Sequence, residues 1–550
     1  MNSGAGCRVA RGRASGSLKK YRSRFLLWFL LASCSGLSLA AELQLTDATI
    51  ADLNAAMDAG TLNSVQLVEM FQSRIAAYDK QGPAINAVLT LNPDALDQAR
   101  LLDLERQQNG RRSPLHGIPI VLKDNMDTRD LPTTAGSFLL KGSIPPDDGF
   151  IVKKLRDAGA IILAKVNMSE FASGGALNSL GGPTFNPHDT SRTPAGSSGG
   201  TGAAIAAGYA MMGLGTDTGG SVRGPSSANG IVGLKTTHGL LSRDGVVPLA
   251  LSFDTVGPMA RSVYDVAVAL GVMTGIDRAD PSTSKSFGKF ETDYTRYLDA
   301  DALSGARIGV ARVFMGSDNE VDWIVESALQ TLRDAGAEVV DVTIPDWLMD
   351  VRGRFYQTIR YREFRAQIAD YLATLGSDYP KSLDELIKQS MALTARREDG
   401  AIPNPGRWNL MMREDASGEL SDAEYIAVRD HALPLVRSVL EGILRENELD
   451  AIVYPTSTTR PGRVDPDPDP DSAPGGGESP VTLANMSGFP DMIVPAGFTA
   501  RGLPITLSFL GPAFSEPRLL GLGYAFEQRT HARRLPAHTP VLPGELITIE

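Results

Sequence analysis

Three residues in this chain have the types and surroundings to do covalent chemistry without a histidine. Lys123 lies in the run GIPIVLKDN at 117–125, Ser197 in PAGSSGG at 194–200 and Ser221 in GTDTGGSVR at 215–223. A serine hydroxyl is a weak nucleophile near neutral pH, so a partner must take its proton as it attacks a carbonyl carbon. A lysine can serve only when it is neutral. Lys123 follows the apolar residues Ile118, Ile120, Val121 and Leu122, which read as a buried strand, and desolvation at the end of such a strand lowers a lysine pKa. A lysine and two serines then supply base, proton relay and nucleophile, the logic of a Ser-Lys hydrolase acting on an amide bond.

Two glycines before Ser221 let consecutive backbone amides turn toward one point. Donors at Thr218, Gly219, Gly220 and Ser221 would in that case form an oxyanion hole, each removable donor contributing roughly 3 kcal/mol in comparable sites. Each segment also has a plainer reading. A lysine before Asp124 and Asn125 at a strand end is usually a surface charge, a Gly-Ser run is usually a flexible loop, and a Gly-Gly-Ser turn can cradle phosphate. The chain has no GxxxxGK[ST] run and no well-placed GxGxxG after a strand, which weakens nucleotide readings. Its six histidines are scattered without metal-ligand spacing, and His116, seven residues before Lys123, is the one that could approach the site.

The elements that must hold these residues read as an α/β fold. Apolar spacings of three and four between residues 46 and 78 predict two amphipathic helices, the second entered at Ser64 as N-cap. Short apolar runs at 118–122, 161–164 and 308–313 predict strands alternating with helices. The hexapeptide Leu-Arg-Asp-Ala-Gly-Ala stands at 155–160 and again at 332–337. Its glycine reads both times as a helix C-cap feeding a strand, a local device and not a domain repeat. Residues 41–80 form an N-terminal helical segment and 81–345 the core with the reacting residues. Residues 346–445 read as a helical insertion shaping substrate access, and 446–550 as the return to the core. The Pro, Asp and Gly-rich stretch 463–480 reads as a loop.

With 550 residues, 42% hydrophobic and 21% charged, the composition is that of a globular enzyme. All charged residues in the first 41 positions are basic, seven in number, and subtracting them from the formal net charge of −11 leaves −18 for the remainder. So acidic a body argues against a nucleic-acid partner. The basic start, the apolar run 25–32 and the small residues ending at Ser38-Leu39-Ala40 predict an export signal over residues 1–40 and a periplasmic or secreted mature chain. An uncleaved anchor is the alternative, and Leu31-Ala32-Ser33-Cys34 resembles a lipoprotein box that would leave Cys34 lipidated. Cys7 and Cys34 are the only cysteines, so the mature chain could form no internal disulfide and offers no thiol chemistry.

Together with GLLSRDGVVP at 239–248 and DTVGPMARS at 254–262, the three reacting segments closely resemble the amidase signature family, over roughly residues 46–535. The chain is most similar to bacterial exported peptide amidases. The resemblance implies the amidase signature fold, a mixed β-sheet core covered by helices on both faces. It implies that Ser221 is the acyl-forming nucleophile, Ser197 the bridging serine, Lys123 the base, and Gly196-Ser197 a cis peptide. Asp217 and Arg223 would be supporting residues that hold the turn. Residues 171–175 would line the acyl side, with Ala172, Gly174 and Ser197 as substrate contacts. No metal or organic cofactor is implied, and the implied partner is a small amide or peptide amide. Family members commonly carry Gly-Gly where this chain has Ala195-Gly196, and a small serine or alanine where it has Thr201. The signature is shared by the glutaminase component of a tRNA-dependent amidotransferase, and a silent exported binding protein is a third reading.

Overall fold

A computed structural model describes residues 41–396, 400–464 and 480–549. The expected leader with both cysteines, and residues 465–479 of the Pro, Asp and Gly-rich loop, lie outside the described residues. Thirteen strands are described: β1 Ala41–Gln44, β2 Val88–Leu91, β3 Pro119–Lys123, β4 Ile161–Val166, β5 Met212–Asp217, β6 Val232–Lys235, β7 Thr255–Ala260, β8 Arg307–Val310, β9 Glu338–Asp341, β10 Ala451–Pro455, β11 Asp491–Phe498, β12 Pro504–Leu510 and β13 Leu546–Ile549. Eleven of them make one sheet in the order β2-β4-β3-β5-β7-β6-β11-β12-β10-β8-β9. β3 runs parallel to β4 and β5, and β8 parallel to β9 and β10, while the pairs between these groups are antiparallel. This is the mixed α/β sheet expected of the amidase signature fold.

Every residue of β3, β4 and β5 is buried, as parallel strands covered by helices require, which is why their sequences are near-continuous apolar runs rather than alternating ones. Because β3 and β5 are parallel neighbours with Leu122 opposite Leu214, their carboxyl ends emerge side by side. Ligands bind beyond the carboxyl ends of such strands.

The recurring hexapeptide behaves alike at both sites. Gly159 and Gly336 adopt φ of 88° and 90°, and Ala160 and Ala337 each donate back to the Leu that opens the hexapeptide, at 3.0 Å. The two helices thus end in the same reversed turn before β4 and β9. Two expectations shift. The cap of the Ser64–Tyr78 helix is Asn63, whose side chain accepts from Gln66 N at 2.8 Å while Gln66 accepts from Asn63 N at 2.9 Å; Ser64 is already helical, its amide donating to Asp103. The strand expected over 308–313 stops at Val310, where the chain turns into a short 3-10 helix at Arg312–Phe314.

β1 and β13 pair antiparallel, Ala41 opposite Ile549, a joining of the two ends that local patterns did not announce. Within the helical stretch, Asp346–Thr374 is the longest helix described. Its Ile359 enters an apolar cluster with Phe253 and Tyr454, and its Phe364, Ile368 and Leu372 enter another with Phe171 and Ala172. No helix among the described residues is long and apolar enough to cross a membrane.

Candidate active site

Lys123 is the last residue of β3 and has no exposed surface. Its Nζ donates to Ser197 Oγ at 2.7 Å, to Thr216 Oγ1 at 2.7 Å and to Thr216 O at 3.4 Å. Burial pulls its pKa down to about 7, against the opposing charges of Asp217 and Asp254. The amine is therefore divided between its two forms near neutral pH and, when neutral, can take the Ser197 proton along the bond already present. Thr216, which sequence reasoning passed over, also accepts from Asn125 Nδ2 at 3.1 Å, fixing the hydroxyl beside the lysine.

Ser197 is buried, and the Gly196-Ser197 peptide is cis, as the resemblance implied. Ser198 N donates to Ser221 O at 3.3 Å, which ties the bridging segment to the nucleophile turn. Between residues 215 and 222 only Gly219 and Ser221 are not fully buried, so these two face the opening. Gly220 adopts φ of 115°, a conformation that a side chain rarely allows. Its amide, counted among four oxyanion donors on sequence grounds, donates instead to Asp217 Oδ1 at 2.8 Å. The amides of Thr218, Gly219 and Ser221 have no acceptor among the described residues.

Asp217 is the hub of the turn. Besides Gly220 it accepts from Val222 N at 3.0 Å, from Asn485 Nδ2 at 2.8 Å, and from Nε and Nη2 of Arg223, both at 3.0 Å. Arg223 reaches on to Val481 O at 2.6 Å, Asn485 Oδ1 at 2.6 Å and Asp491 at 2.9 Å, and Tyr454 donates to Asp491 at 2.7 Å. Burial works against an ionised Asp217, but the Arg223 charge and its hydrogen bonds outweigh it and hold the carboxyl well below the usual range. Asp217 and Arg223, read from the resemblance as supporting residues, spend their polar atoms on hydrogen bonds within the turn and to residues 481–491. Asn485, Asp491 and Tyr454 stand more than 230 residues away in sequence, and nothing local marks them.

The loop after β4 touches the same site from the other side. Ser169 N donates to Ser197 O at 3.0 Å and Ser169 Oγ to Gly174 O at 3.1 Å. Gly174 is exposed, whereas Ala172 contributes its methyl to the apolar cluster with Phe171 and Phe364; it is a packing position rather than an open lining. A cavity of about 740 Å³ lies behind this loop, walled by Glu170, Ile402, Asn404, Trp408 and Met411, and its wall includes none of Lys123, Ser197 or Ser221. His116 is spent elsewhere, with Nε2 at 2.9 Å from Leu102 O and Nδ1 accepting from Arg112 N. Ala195 sits at φ of 60°, and Thr201 donates to Leu214 O at 3.2 Å. No group of three or more metal-ligating side chains occurs among the described residues.

A buried lysine bonded to a serine beside a glycine turn, on an eleven-stranded mixed sheet, defines a class of amide-cleaving hydrolases. The chain belongs to the amidase family, whose pattern matches residues 66–520. It is 34% identical to a probable amidase of Arabidopsis thaliana over 92% of this chain and 94% of that protein. It is likewise 34% identical to the A subunit of the glutamyl-tRNA(Gln) amidotransferase of Caldanaerobacter subterraneus, over 92% and 100%. Among solved structures it resembles the peptide amidase of Stenotrophomonas maltophilia, with 39% identity, a TM-score of 0.80 and coverage of 90% of this chain and 99% of that one. The protein is an amidase, a hydrolase of carbon-nitrogen amide bonds.

Proposed function

We propose that this protein is an exported amidase that hydrolyses carboxamides, C-terminal peptide amides foremost, through an acyl-enzyme on Ser221. The observation that carries the mechanism is the bond from buried Lys123 to Ser197. Neutral Lys123 draws the Ser197 proton as Ser197 takes that of Ser221, and Ser221 Oγ attacks the amide carbon. The amides of Thr218, Gly219 and Ser221 receive the negative charge that develops on the carbonyl oxygen. The proton then returns through Ser197 to the leaving nitrogen, the C-N bond breaks and ammonia or an amine departs. Water enters by the same relay and frees the acid.

The likeness to a peptide amidase over nearly the whole chain supports peptide amides. Small alkyl or aryl amides are the other substrates of this reading. The equally long likeness to an amidotransferase component favours glutamine as a second reading. Export rests on the leader read over residues 1–40, with lipidation at Cys34 as its variant. The test is ammonia release by the mature chain alone from amidated peptides, small amides and glutamine, beside Ser221→Ala. Release from peptide amides that falls at least roughly 10⁴-fold in the variant is expected. Release from glutamine alone would move the protein to the amidotransferase reading, and release undiminished in the variant would remove Ser221 from the mechanism.

A further inference from the structure

Asp254 has no part in the chemistry above, yet it is buried against the site. It directly precedes β7, whose Thr255 lies opposite Asp217 in the antiparallel pair with β5, so the register sets Asp254 beside Thr218. The Thr218 hydroxyl donates to Asp254 Oδ1 at 2.5 Å, and the amides of Leu249 and Ala250 both donate to Oδ2 at 2.9 Å. One carboxylate thus clamps the side chain of Thr218, the residue that opens the nucleophile turn, to the loop at 249–254.

That loop is in turn anchored to the Asp346–Thr374 helix. Leu251 N donates to Gln367 at 2.9 Å, Ser252 N and Oγ donate to Glu363 at 2.9 and 2.5 Å, and Phe253 stacks on Tyr356 with centroids 5.3 Å apart. The same Tyr356 hydroxyl overhangs the turn, for a Cβ added at Gly219 would fall 2.5 Å from it. The turn, the loop and the helix form one connected body with Asp254 at its joint.

We propose that Asp254 is a positioning residue of the amidase reaction: held by the amides of Leu249 and Ala250, it aims the oxyanion-binding turn through the Thr218 hydroxyl. The inference rests on the mechanism proposed above. The titratable and charged groups that face Asp254 are Lys123 on β3, Arg243, and Tyr356 on the Asp346–Thr374 helix. Burial raises the Asp254 carboxyl to about 6, opposed by the Thr218, Leu249 and Ala250 hydrogen bonds, so above that pH it acts on Lys123 as an anion. Asn at 254 keeps the shape and an acceptor for the two amides but removes the charge.

The experiment measures kcat, KM and the pH profile of kcat/KM for wild type, Asp254→Asn and Thr218→Val on an amide the wild type turns over. Asp254→Asn is expected to lower kcat roughly 10²-fold with KM little changed, as a misaimed transition-state donor does. Its lower pH limb should also move to lower pH, because Lys123 loses an anion that favours its protonated form. Thr218→Val should lower kcat and leave the limb in place, since the charge remains. A purely structural Asp254 would shift thermal stability and move neither kcat nor the limb, and that result overturns the proposal. Should Asp254→Asn fail to fold, full activity of Thr218→Val would overturn it as well. A Ser221 acyl adduct in wild type separates failure of this inference from failure of the mechanism it builds on.

Discussion

Lys123 and Lys165 end up on neighbouring parallel strands, both without exposed surface and each bonded to a threonine hydroxyl and a carbonyl, yet the third partner differs: Ser197 for one, the Asp124 carboxylate for the other. Lys165 Nζ donates to Thr133 Oγ1 at 2.8 Å and Pro132 O at 3.0 Å and stands 3.5 Å from the carboxylate of Asp124. Lys123 has hydroxyls at hydrogen-bond distance and no carboxylate there. Burial pulls both pKa values down; for Lys165 the charges of Asp124 and Asp127 oppose it. Burial alone therefore does not make a base. What distinguishes Lys123 is the Ser197 hydroxyl in place of a carboxylate: the hydroxyl beside Lys165 belongs to Thr133 and is committed to Met126 O at 3.0 Å, and the Asp124 carboxylate pairs with that cation and keeps it one.

The sharpest way to break this comparison is to remove each lysine in turn. Lys123→Met should cost at least roughly 10³-fold in kcat while the fold persists, because a single group that acts as base in a relay is not replaced by its neighbours. In wild type, kcat/KM should rise with pH through about 7, the value to which burial draws Lys123, since only the neutral amine accepts a proton. The stability effect has the opposite sense. The folded pKa lies below the unfolded value of about 10.4, so the fold disfavours the proton, and that cost is complete below pH 7. Lys123→Met should consequently gain most over wild type in thermal melts below pH 7 and lose that gain as pH approaches about 10. A Lys123→Met variant with wild-type turnover would remove the lysine from the mechanism.

Lys165→Met is the counterpart. It strands Asp124 beneath the sheet and should lower stability by about 3 to 5 kcal/mol, read as a shift of the denaturation midpoint. Turnover per folded molecule should fall far less than in the Lys123 variant. Equal losses of turnover in the two would erase the distinction between base and structural cation.

Arg223 sharpens the contrast from another side, because here a buried cation is fully paired and its charge cannot move. Its fork bonds Asp217 through Nε and Nη2 while Nη1 spans to Asp491. Lysine could keep the charge but not this geometry. Arg223→Lys should cost about 2 to 3 kcal/mol of stability, with a fall in kcat as Asp217 loses its grip on the turn. An unchanged melting temperature would show that charge, and not the fork, holds the hub.

How much of this was legible beforehand follows from the range of each interaction. Lys123, Ser197 and Ser221 could be singled out because an apolar strand precedes the lysine, glycines stand beside the serines, and the three runs together resemble one family signature, although each run alone allowed a plainer reading. The helix ends at Gly159 and Gly336 were legible because a reversed turn is decided within six residues. The joining of β1 to β13 and the reach of Arg223 to Asn485 and Asp491 were not, since they depend on which distant segments the sheet brings together. Gly220 shows a subtler limit. Its place in the turn was readable, but whether its amide faces a substrate or Asp217 depends on backbone direction, which composition does not carry. Thr216 and Asp254 stood inside the recognised runs, yet only the parallel and antiparallel registers of β5 reveal what they touch.

The smallest test concerns Ala195, where the family resemblance leads us to expect glycine. Ala195 stands one residue ahead of the cis peptide and is held at φ of 60°, where an L side chain crowds its own carbonyl at a cost of roughly 1 to 2 kcal/mol. Glycine would relieve that crowding but would bring back unfolded-chain entropy worth about 0.4 to 1 kcal/mol. The two effects nearly cancel, and Ala195→Gly should stabilise the protein by about 1 kcal/mol or less. Turnover should stay close to wild type, since Ala195 makes no bond to Lys123, Ser197 or Ser221. Melting and turnover of this variant, set beside Lys165→Met, would separate strain stored in a loop from charge stored in the sheet. A loss of stability would mean that the Ala195 methyl, which borders a cavity of about 170 Å³, packs well enough to outweigh its own strain.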